Sequence, residues 1–390
     1  EDEEEAAAGG GDGVLVVGTI FPITGDLAFL GPAEVQGAEL AIEDINAAGG
    51  VFGVDVVLEQ GDSGDTTTDI ANTEVDRLLS LGADAIIGAA SSAVSKTVID
   101  KITGAGVIQF SPANTSPDFT TYNDNGLYFR TAPSDLLQGR VLANAVLDQG
   151  NETVSVLFRQ ESYGQGLADA FQENFEASGG VIDEFLPYAI DVESFDAEVD
   201  SLVAAGSDAI VVIGFAESAN IITTMHERGI GPTSETNVWG VDGNLGIESE
   251  MADPSILETM TFTQPSVDLG SIDDFIGRLE EAMPPDSSSA YGAETYDSIV
   301  IVALAAELAG SDAGEAIATE INGVTKDGEK CNSFAACKEI IDAGGDPDYD
   351  GLGGPYEFVD AGEPEAASFL IATYGADGRD ESLDVYVFAM

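Results

Sequence analysis

A helix-like stretch followed by a short, fully apolar strand occurs twice in this chain, and the two copies begin 124 residues apart. The first copy covers residues 74–88 and the second covers residues 198–214. Strands that are apolar at every position are covered on both faces, as in parallel sheets between two layers of helices. The repeat therefore predicts two similar α/β lobes. A binding function is expected in the cleft that two joined lobes leave between them.

The rest of the chain continues this alternation of strand and helix. Further strands are predicted at 14–20, 54–58, 107–110, 153–158, 183–189 and 237–241, and further helices at 32–48, 92–103, 166–177, 218–227 and 294–308. The strand at 237–241 is expected to be the last one before the chain returns to the first lobe, whose core would include the helix at 294–308. The sustained alternation predicts an α/β fold with two parallel sheets.

The charge of the chain is strongly negative, with 72 acidic and 12 basic residues and a net charge of −60. Such a charge repels itself in dilute buffer, but the Debye length falls to about 3 Å at 1 M salt. The acids are spread along the chain, which favours a protein adapted to a very salty medium. An acidic surface that serves only solubility is the alternative. Nucleic acid is a poor partner, because no basic stripe is present to neutralise phosphates.

The first residues and the two cysteines bear on location. Residues 1–13 are acidic and then rich in small residues, which predicts a flexible tether at the outer face of the cell membrane. No apolar run reaches the roughly 18–20 residues that span a bilayer. Cys331 and Cys337 are too few for a structural zinc site and do not have the redox C-x-x-C spacing. A local disulfide in an oxidising, extracytoplasmic location is predicted, with buried free thiols as the alternative.

Candidate site residues in the first lobe follow two strands. Ser91 and Ser92 lie between a strand and a helix, where hydroxyls and free backbone N–H groups can bind an anion. A helix-capping role for Ser92 is the plain structural alternative. Ala113 and Thr115 lie in the next strand-end loop and could reach the same anion.

Candidate residues in the second lobe also follow strands. Tyr163 lies between a strand and a helix that opens at glycine, where it could cover a small ligand. Phe215 could form an apolar wall. Asp242 follows the strand at 237–241, and its carboxylate could accept hydrogen bonds from an ammonium group.

Several motifs together resemble the branched-chain amino acid binding proteins of ABC importers. The resemblance covers nearly all of residues 14–390, and its motifs are Pro22-x-Thr24-Gly25, Gly37-Ala38-x-x-Ala41-x-x-Asp44-Ile45-Asn46-x-x-Gly49-Gly50, Ser111-Pro112-Ala113-x-Thr115-x-Pro117, Tyr163-Gly164-x-Gly166 and Tyr296-Asp297. These are type I periplasmic binding proteins, so the resemblance implies two Rossmann-like lobes joined by three hinge crossovers. Lobe 1 would comprise residues 14–131 and 264–362, and lobe 2 residues 132–263 and 363–390.

The resemblance also implies roles for the candidate residues. In the family, the positions of Ser92, Ala113 and Thr115 hold the ligand's α-carboxylate, and those of Tyr163 and Asp242 hold its ammonium. Asp242 is one methylene shorter than the usual glutamate. Two further departures concern the side-chain pocket, where Leu30 replaces an aromatic residue and Phe215 replaces a tyrosine.

One motif could bind a metal. Residues 346–351 with Glu357 satisfy the calcium-loop pattern D-x-D-x-D-G-x₅-E. No helical pattern flanks the loop, glycine and proline interrupt its second half, and 356–359 has the pattern of a strand. A solvated acidic turn is the alternative to a calcium site, and no metal or cofactor is predicted.

These observations favour a monomeric, extracytoplasmic solute-binding protein. It would capture a small amino acid of branched-chain type and deliver it to the membrane subunits of an ABC importer. A sensor of amides or amino acids with the same fold is the alternative function. An enzyme is not expected, because the one histidine, His226, lies at a helix end and neither a nucleophile elbow nor a phosphate loop is present.

Overall fold

The computed structural model describes residues 11–190, 192, 194–285, 287–376 and 378–390, so most of the predicted tether lies outside the described residues. The chain forms two compact units. Unit 1 comprises the described residues up to Thr115 together with Phe119–Pro133 and Asp268–Ala366. Unit 2 comprises Ser116–Asp118, Ser134–Val267 and Ala367–Met390. The short segment Ser116–Asp118 thus groups with unit 2, although the sequence placed it in the first lobe.

Unit 1 is built on a five-stranded sheet in which every neighbouring pair of strands is parallel. Its strands, in chain order, are β1 (Val16–Ile20), β2 (Val57–Glu59), β3 (Ala85–Gly88), β4 (Ile108–Ser111) and β5 (Tyr128–Arg130). A separate parallel pair of strands follows later in the chain, β11 (Glu329–Cys331) and β12 (Pro347–Tyr349). The helices of the unit are α1 (Gly31–Ala47), α2 (Ile70–Ser80), α3 (Ser92–Gly104), α8 (Asp273–Ala282), α9 (Gly292–Ala309), α10 (Gly314–Ile321) and α11 (Phe334–Asp342).

Helix α9 lies in the core of unit 1, as the sequence predicted. Almost every residue of its middle turns is buried, and its apolar side chains belong to the same cluster as those of α1, β1 and β4. Asp297 on α9 is fully buried and accepts hydrogen bonds from the Tyr349 and Tyr356 hydroxyls, both at 2.6 Å, and from two backbone N–H groups. The motif residue Asp297 therefore fixes the segment after β12 to the core helix.

Unit 2 contains an eight-stranded sheet. Its parallel strands are β6 (Thr153–Arg159), β7 (Val181–Tyr188), β8 (Ala209–Ile213), β9 (Asn237–Val241) and β10 (Thr261–Pro265). Antiparallel strands extend the sheet beyond β10, namely β13 (Ala367–Gly375), β14 (Gly378–Arg379) and β15 (Val385–Ala389). The helices of the unit are α4 (Asp135–Asp148), α5 (Ser162–Ala177), α6 (Asp196–Ala205) and α7 (Ser218–Glu227).

The sequence repeat marks the same position in both sheets. Unit 1 has the strand order β2-β1-β3-β4-β5, and the parallel part of unit 2 has the order β7-β6-β8-β9-β10. The two apolar repeat strands, β3 and β8, are therefore the third strand of their unit, and both are buried at every position. In this doubly wound order the chain switches direction between the strands that come first and third in the sequence, which are β1 and β3 in unit 1 and β6 and β8 in unit 2. Ligands of such folds bind at this switch point. The predicted α/β fold with parallel sheets is confirmed.

Two predictions about individual elements are wrong, and one helix was not predicted. The strand at 237–241 is followed by another parallel strand, β10, before the chain returns to unit 1. Helix α5 begins at Ser162 rather than Gly166, because Glu161 caps it, so Tyr163 lies in its first turn. Helix α4 was missed, although Ser134 caps it and apolar residues recur along it at helical spacing.

No helix in the described part of the chain is both long and apolar enough to cross a bilayer.

Candidate functional site

The serine loop after β3 forms the start of α3. Ser91 is the N-cap of this helix, and its Oγ accepts a hydrogen bond from the backbone N–H of Val94 at 3.4 Å. The capping role predicted for Ser92 therefore belongs to Ser91, and Ser92 is the first residue of the helix. Both serines are buried. The first N–H groups of a helix lack partners within the helix and lie at the positive end of its dipole, so this loop has the chemistry of an anion site.

Asn114 joins the loop after β4 to the loop after β3. Its side-chain nitrogen donates to the carbonyl oxygens of Ala89 at 2.9 Å and Ala90 at 2.8 Å. Ser111 Oγ donates to the same Ala89 oxygen at 2.8 Å and accepts from the Asn114 backbone N–H at 2.9 Å. These bonds hold the Ala113–Thr115 segment beside the Ser91 loop. The structure therefore brings four of the predicted residues together: Ser91, Ser92, Ala113 and Thr115.

Sequence reasoning missed Asn114 and the groups that support it. The Tyr128 hydroxyl donates to Asn114 Oδ1 at 3.0 Å, and Arg130 Nη1 donates to the Asn114 carbonyl at 3.2 Å. Arg130 is fully buried and forms an ion pair with Glu363. Burial raises the pKa of Tyr128, which keeps its hydroxyl protonated as a donor. The signal that could have singled out Asn114 in the sequence is a side-chain amide in a strand-end loop, between Pro112 and Pro117.

Leu30 lies on the neighbouring loop of the same sheet. It precedes α1 and follows β1, the strand that pairs with β3, and it is 4% exposed. Because the ends of parallel strands meet at one edge of a sheet, Leu30 lies at the same edge as the serine loop. A buried leucine at this edge can contact the apolar part of a ligand.

In unit 2, Tyr163 and Asp242 are in direct contact. The Tyr163 hydroxyl donates to Asp242 Oδ1 at 3.0 Å, and both residues are buried. Gly243 brings its backbone N–H to 3.3 Å from the Tyr163 oxygen. A side chain at Gly243 would place its Cβ only 2.5 Å from the carbonyl oxygen of Gly214, so glycine is required for this close approach. The predicted tyrosine and carboxylate therefore form one buried polar centre.

Phe215 joins the same centre. Its ring stacks on Tyr163 with centroids 5.3 Å apart, and the Arg159 guanidinium carbon lies 4.6 Å from its centroid. Arg159 is buried and pairs with Glu217, with Nη1 and Oε1 2.9 Å apart. The Tyr188 hydroxyl donates to that Glu217 oxygen at 2.7 Å, and burial raises the pKa of Tyr188. Phe215 is thus an apolar residue with a paired cation against its ring, which the sequence did not predict.

Glu161 holds Tyr163 in place from the other side. Its carboxylate oxygens accept hydrogen bonds from the backbone N–H groups of Tyr163 and Gly164, both at 2.9 Å. Burial raises the pKa of Glu161, while these N–H groups act in the opposite direction. The carboxylate therefore caps α5 and fixes the first turn, which carries the tyrosine.

The acidic loop that matched the calcium pattern surrounds a lysine. Lys330 Nζ lies 2.9 Å from Asp348 Oδ2, 2.9 Å from Asp350 Oδ1 and 3.4 Å from Glu357 Oε1. The Lys330 ammonium group thus lies among the carboxylates that the pattern assigns to calcium. Within the described ranges, no group of three or more His, Cys, Asp or Glu side chains is arranged to hold a metal ion.

The predicted disulfide between Cys331 and Cys337 is confirmed, with Cα atoms 5.3 Å apart.

Comparisons with known proteins agree with this geometry. The model of the family described as periplasmic binding protein matches residues 15–344. The Leu/Ile/Val-binding protein homolog 3 of Brucella melitensis is 29% identical over 59% of this chain and 64% of that protein, so the chain spans just under two thirds of that relative. The chemotactic signal transduction system substrate-binding protein BasB of Halobacterium salinarum is 26% identical over 94% of this chain and 92% of that protein.

Solved structures share the fold. The branched-chain amino acid transporter substrate binding protein LivJ from Streptococcus pneumoniae, solved in complex with isoleucine, has a TM-score of 0.78 to this chain. Its sequence is 22% identical, and the match covers 96% of this chain and 99% of LivJ. At this identity the likeness establishes the architecture of the two units and leaves the ligand to be argued from the residues.

Proposed function

Because the chain belongs to the periplasmic binding protein family, we propose that it is an extracytoplasmic solute-binding protein that delivers a small amino acid of branched-chain type to an ABC importer. The observation that carries this proposal is the opposite chemistry of the two strand-end clusters. Unit 1 offers hydroxyls and helix N–H groups to an anion, and unit 2 offers a buried carboxylate to a cation. A free amino acid carries both charges.

Each candidate residue has a role in this proposal. Ser91, Ser92 and Thr115, with the backbone at Ala113, would hold the α-carboxylate through hydroxyl and N–H donors. Asp242 would accept from the ammonium, with Tyr163 beside it. Leu30 and Phe215 would contact the apolar side chain. Micromolar affinity corresponds to about −8 kcal/mol, which charge-assisted hydrogen bonds and one apolar pocket can supply.

The location outside the cytoplasm and the salty medium are part of the proposal. The Cys331–Cys337 disulfide supports an oxidising compartment. Asp312 Oδ2 accepts hydrogen bonds from the backbone N–H groups of Asp12, Gly13 and Val14 at 2.9, 2.7 and 3.0 Å, which fixes the chain where the proposed membrane tether meets unit 1. The net charge of −60 supports adaptation to high salt.

A thermal-shift screen in molar potassium chloride tests the function. Leucine, isoleucine and valine are compared with isobutyramide, an uncharged amide. A ligand at a hundred times its Kd stabilises the native state by about 2.7 kcal/mol, which raises the Tm by several degrees. The shift should disappear in Asp242→Asn and persist in Asp148→Asn, which removes an exposed carboxylate from the same unit. A response to isobutyramide alone contradicts the amino acid assignment.

A sensor is the second candidate function. The observation that favours it is the similarity, over 94% of this chain, to a Halobacterium salinarum substrate-binding protein named for a chemotactic signal transduction system. Deletion of the gene separates the two roles. Transport predicts the loss of uptake of the labelled amino acid, whereas sensing predicts the loss of chemotaxis toward it with uptake unchanged.

A further inference from the structure

Gln138, which none of the sequence patterns singled out, contacts the carboxylate of Asp242. It lies on α4, is 1% exposed, and its Nε2 donates to Asp242 Oδ1 at 2.8 Å. The same nitrogen lies 3.2 Å from the Thr263 carbonyl oxygen, on the strand beside β9. The two hydrogens of an amide nitrogen can serve both acceptors. Gln138 therefore links the carboxylate of Asp242, the proposed ammonium-binding residue, to strand β10 of the sheet.

The position of Gln138 is set by close packing of two helices. Its neighbour Gly139 faces α5, where an added Cβ would lie 2.7 Å from Ala170 Cβ and from the Phe171 backbone nitrogen. No side chain fits there without moving the helices apart. Because α5 also carries Tyr163, the two donors to Asp242 Oδ1 come from two helices in fixed register. A donor held in this way restricts the carboxylate to one orientation.

The other amide atom of Gln138 is an acceptor without a protein partner. Gln138 Oε1 is buried and has no hydrogen-bond partner in the described part of the chain. The oxygen and nitrogen of a planar amide are about 2.3 Å apart, so Oε1 lies within about 5 Å of Asp242 Oδ1. A buried acceptor left unpaired costs free energy, which a ligand N–H can recover. An ammonium group has three such hydrogens and can serve several acceptors at once.

We infer that Gln138 is a further ligand-binding residue of unit 2, whose Nε2 positions the Asp242 carboxylate and whose Oε1 accepts a hydrogen bond from the ligand's ammonium. This inference rests on the proposed function for the identity of the ligand. It makes Gln138 a determinant of selectivity for amino acids over their deaminated analogues, because a ligand with no N–H or O–H donor at this position cannot pair with Oε1.

Binding by calorimetry tests this role in Gln138→Met, which keeps the length of the side chain and removes the amide. The probes are L-leucine and 4-methylpentanoate, which lacks the amino group. We expect the Kd of L-leucine to rise about 10- to 100-fold, the effect of losing a hydrogen bond to a charged group. The Kd of 4-methylpentanoate should change less than threefold. An equal loss for both probes overturns the inference, since it indicates a general structural effect.

Asn151→Ala is the matched control for a lost buried amide in the same unit. Asn151 is 2% exposed, donates to the Val146 carbonyl at 3.0 Å and accepts from Asn237 at 2.7 Å. Asn237 begins β9 and Asp242 follows its end, so this control lies at the opposite end of the strand. It should lower the Tm and leave the Kd of L-leucine unchanged. A change of Kd as large as that in Gln138→Met overturns a specific role for Gln138.

A ligand-free experiment tests the pairing of Gln138 with Asp242 even if the proposed function fails. Gln138→Glu places two carboxylates at hydrogen-bond distance, so its Tm should fall by several degrees. Adding Asp242→Asn restores one donor and one acceptor, and the double variant should regain at least half of the lost Tm. No recovery overturns the pairing. Failure of every zwitterion to bind wild type, with recovery observed here, rejects the proposed ligand and keeps Gln138 as the partner of Asp242.

Discussion

Asn114 Nδ2 lies 2.8 Å from the carbonyl oxygen of Ala90, and this bond joins the two strand-end loops of unit 1. The same nitrogen reaches the Ala89 carbonyl, and the backbone around Ala89 also bonds to Ser95 and Ser111. The anion-binding chemistry proposed for this edge of the sheet therefore depends on a side chain that need not touch the ligand.

Replacing Asn114 with leucine should destabilise unit 1 and weaken ligand binding. The variant loses both bonds to Ala89 and Ala90 and leaves the Tyr128 hydroxyl without its acceptor, which costs about 2–4 kcal/mol in total. Urea unfolding in molar salt measures the loss. Asn174→Leu, which removes one side-chain bond to the Ala170 carbonyl, should cost about 1 kcal/mol. Equal losses in the two variants contradict a special role for Asn114.

The Tyr163 hydroxyl should contribute to affinity more than to stability. Tyr163→Phe keeps the ring against Phe215 and removes one of the donors to Asp242. We expect the Kd of L-leucine to rise about tenfold, because a hydrogen bond to a charged group is lost. The control is Tyr122→Phe, which removes an exposed hydroxyl bond to Asp100 at 3.1 Å. Calorimetry that finds the same Kd in Tyr163→Phe and wild type contradicts the role of the hydroxyl.

The fold could be predicted because its signals are local. Strands β3 and β8 are apolar at every position, and this property alone indicates burial on both faces of a parallel sheet. The antiparallel strands β13 and β15 were not predicted. β15 carries exposed apolar residues such as Phe388 and lacks the alternation of a half-buried strand, whereas β13 does have buried apolar positions. β15 pairs with β13, and β13 in turn pairs with β10, more than 100 positions earlier in the sequence. No local pattern reports this long-range pairing.

The candidate site could be predicted only in part, for a similar reason. Ser91, Tyr163 and Asp242 each follow a strand, so the rule that ligands bind at strand ends finds them. Gln138 is the fourth residue of helix α4 and reaches Asp242 across 104 positions of sequence. Arg159 was missed because it is the last residue of the apolar strand β6 and its partner Glu217 follows a different strand. Both residues act through long-range contacts that a single sequence does not encode in its spacing.

Salt should strongly stabilise the folded chain. With a net charge of −60, repulsion between surface carboxylates opposes folding. Molar salt shortens the Debye length to about 3 Å and so screens this repulsion. We expect the Tm to rise steadily between 0.1 M and molar potassium chloride, as measured by circular dichroism. Sucrose at matched osmolality carries no charge and should raise the Tm far less. An unchanged Tm across the salt series contradicts the proposed adaptation to a salty medium.

Removing the Lys330 ammonium should make the stability of the acidic loop sensitive to calcium. In wild type, the Lys330 ammonium pairs with Asp348, Asp350 and Glu357 and keeps a second cation out of the loop, so added calcium should not change the Tm. In Lys330→Met these carboxylates repel one another, and calcium at millimolar concentration should raise the Tm relative to magnesium. Lys338→Met is the control, since Lys338 pairs with Glu307 and Asp342 outside this loop. Calcium stabilisation of wild type contradicts the role assigned to Lys330.

The stability of unit 1 should fall as the pH rises toward neutrality, because two carboxyl groups near the crossing of α1 and α9 resist ionisation. Glu34 is fully buried, and neither of its carboxyl oxygens has a hydrogen-bond partner in the described residues. Burial, and then the neighbouring Glu294, raise the pKa of Glu34. Burial raises the pKa of Glu294 from 4.5 to about 7. A folded-state pKa above the unfolded one stabilises the protein below pH 4.5, and this contribution is lost as the pH rises to about 7.

Glu294→Gln should therefore flatten this part of the pH dependence. Between pH 5 and 8 we expect the free energy of unfolding of wild type to fall by about 1–3 kcal/mol more than that of the variant. Urea unfolding at constant molar salt measures both, so that screening of the remaining carboxylates is equal. Glu39→Gln changes an exposed carboxyl on α1 and should keep the wild-type slope. If Glu294→Gln and wild type have parallel pH profiles, Glu294 is already ionised at pH 5, which contradicts the raised pKa of this carboxyl group.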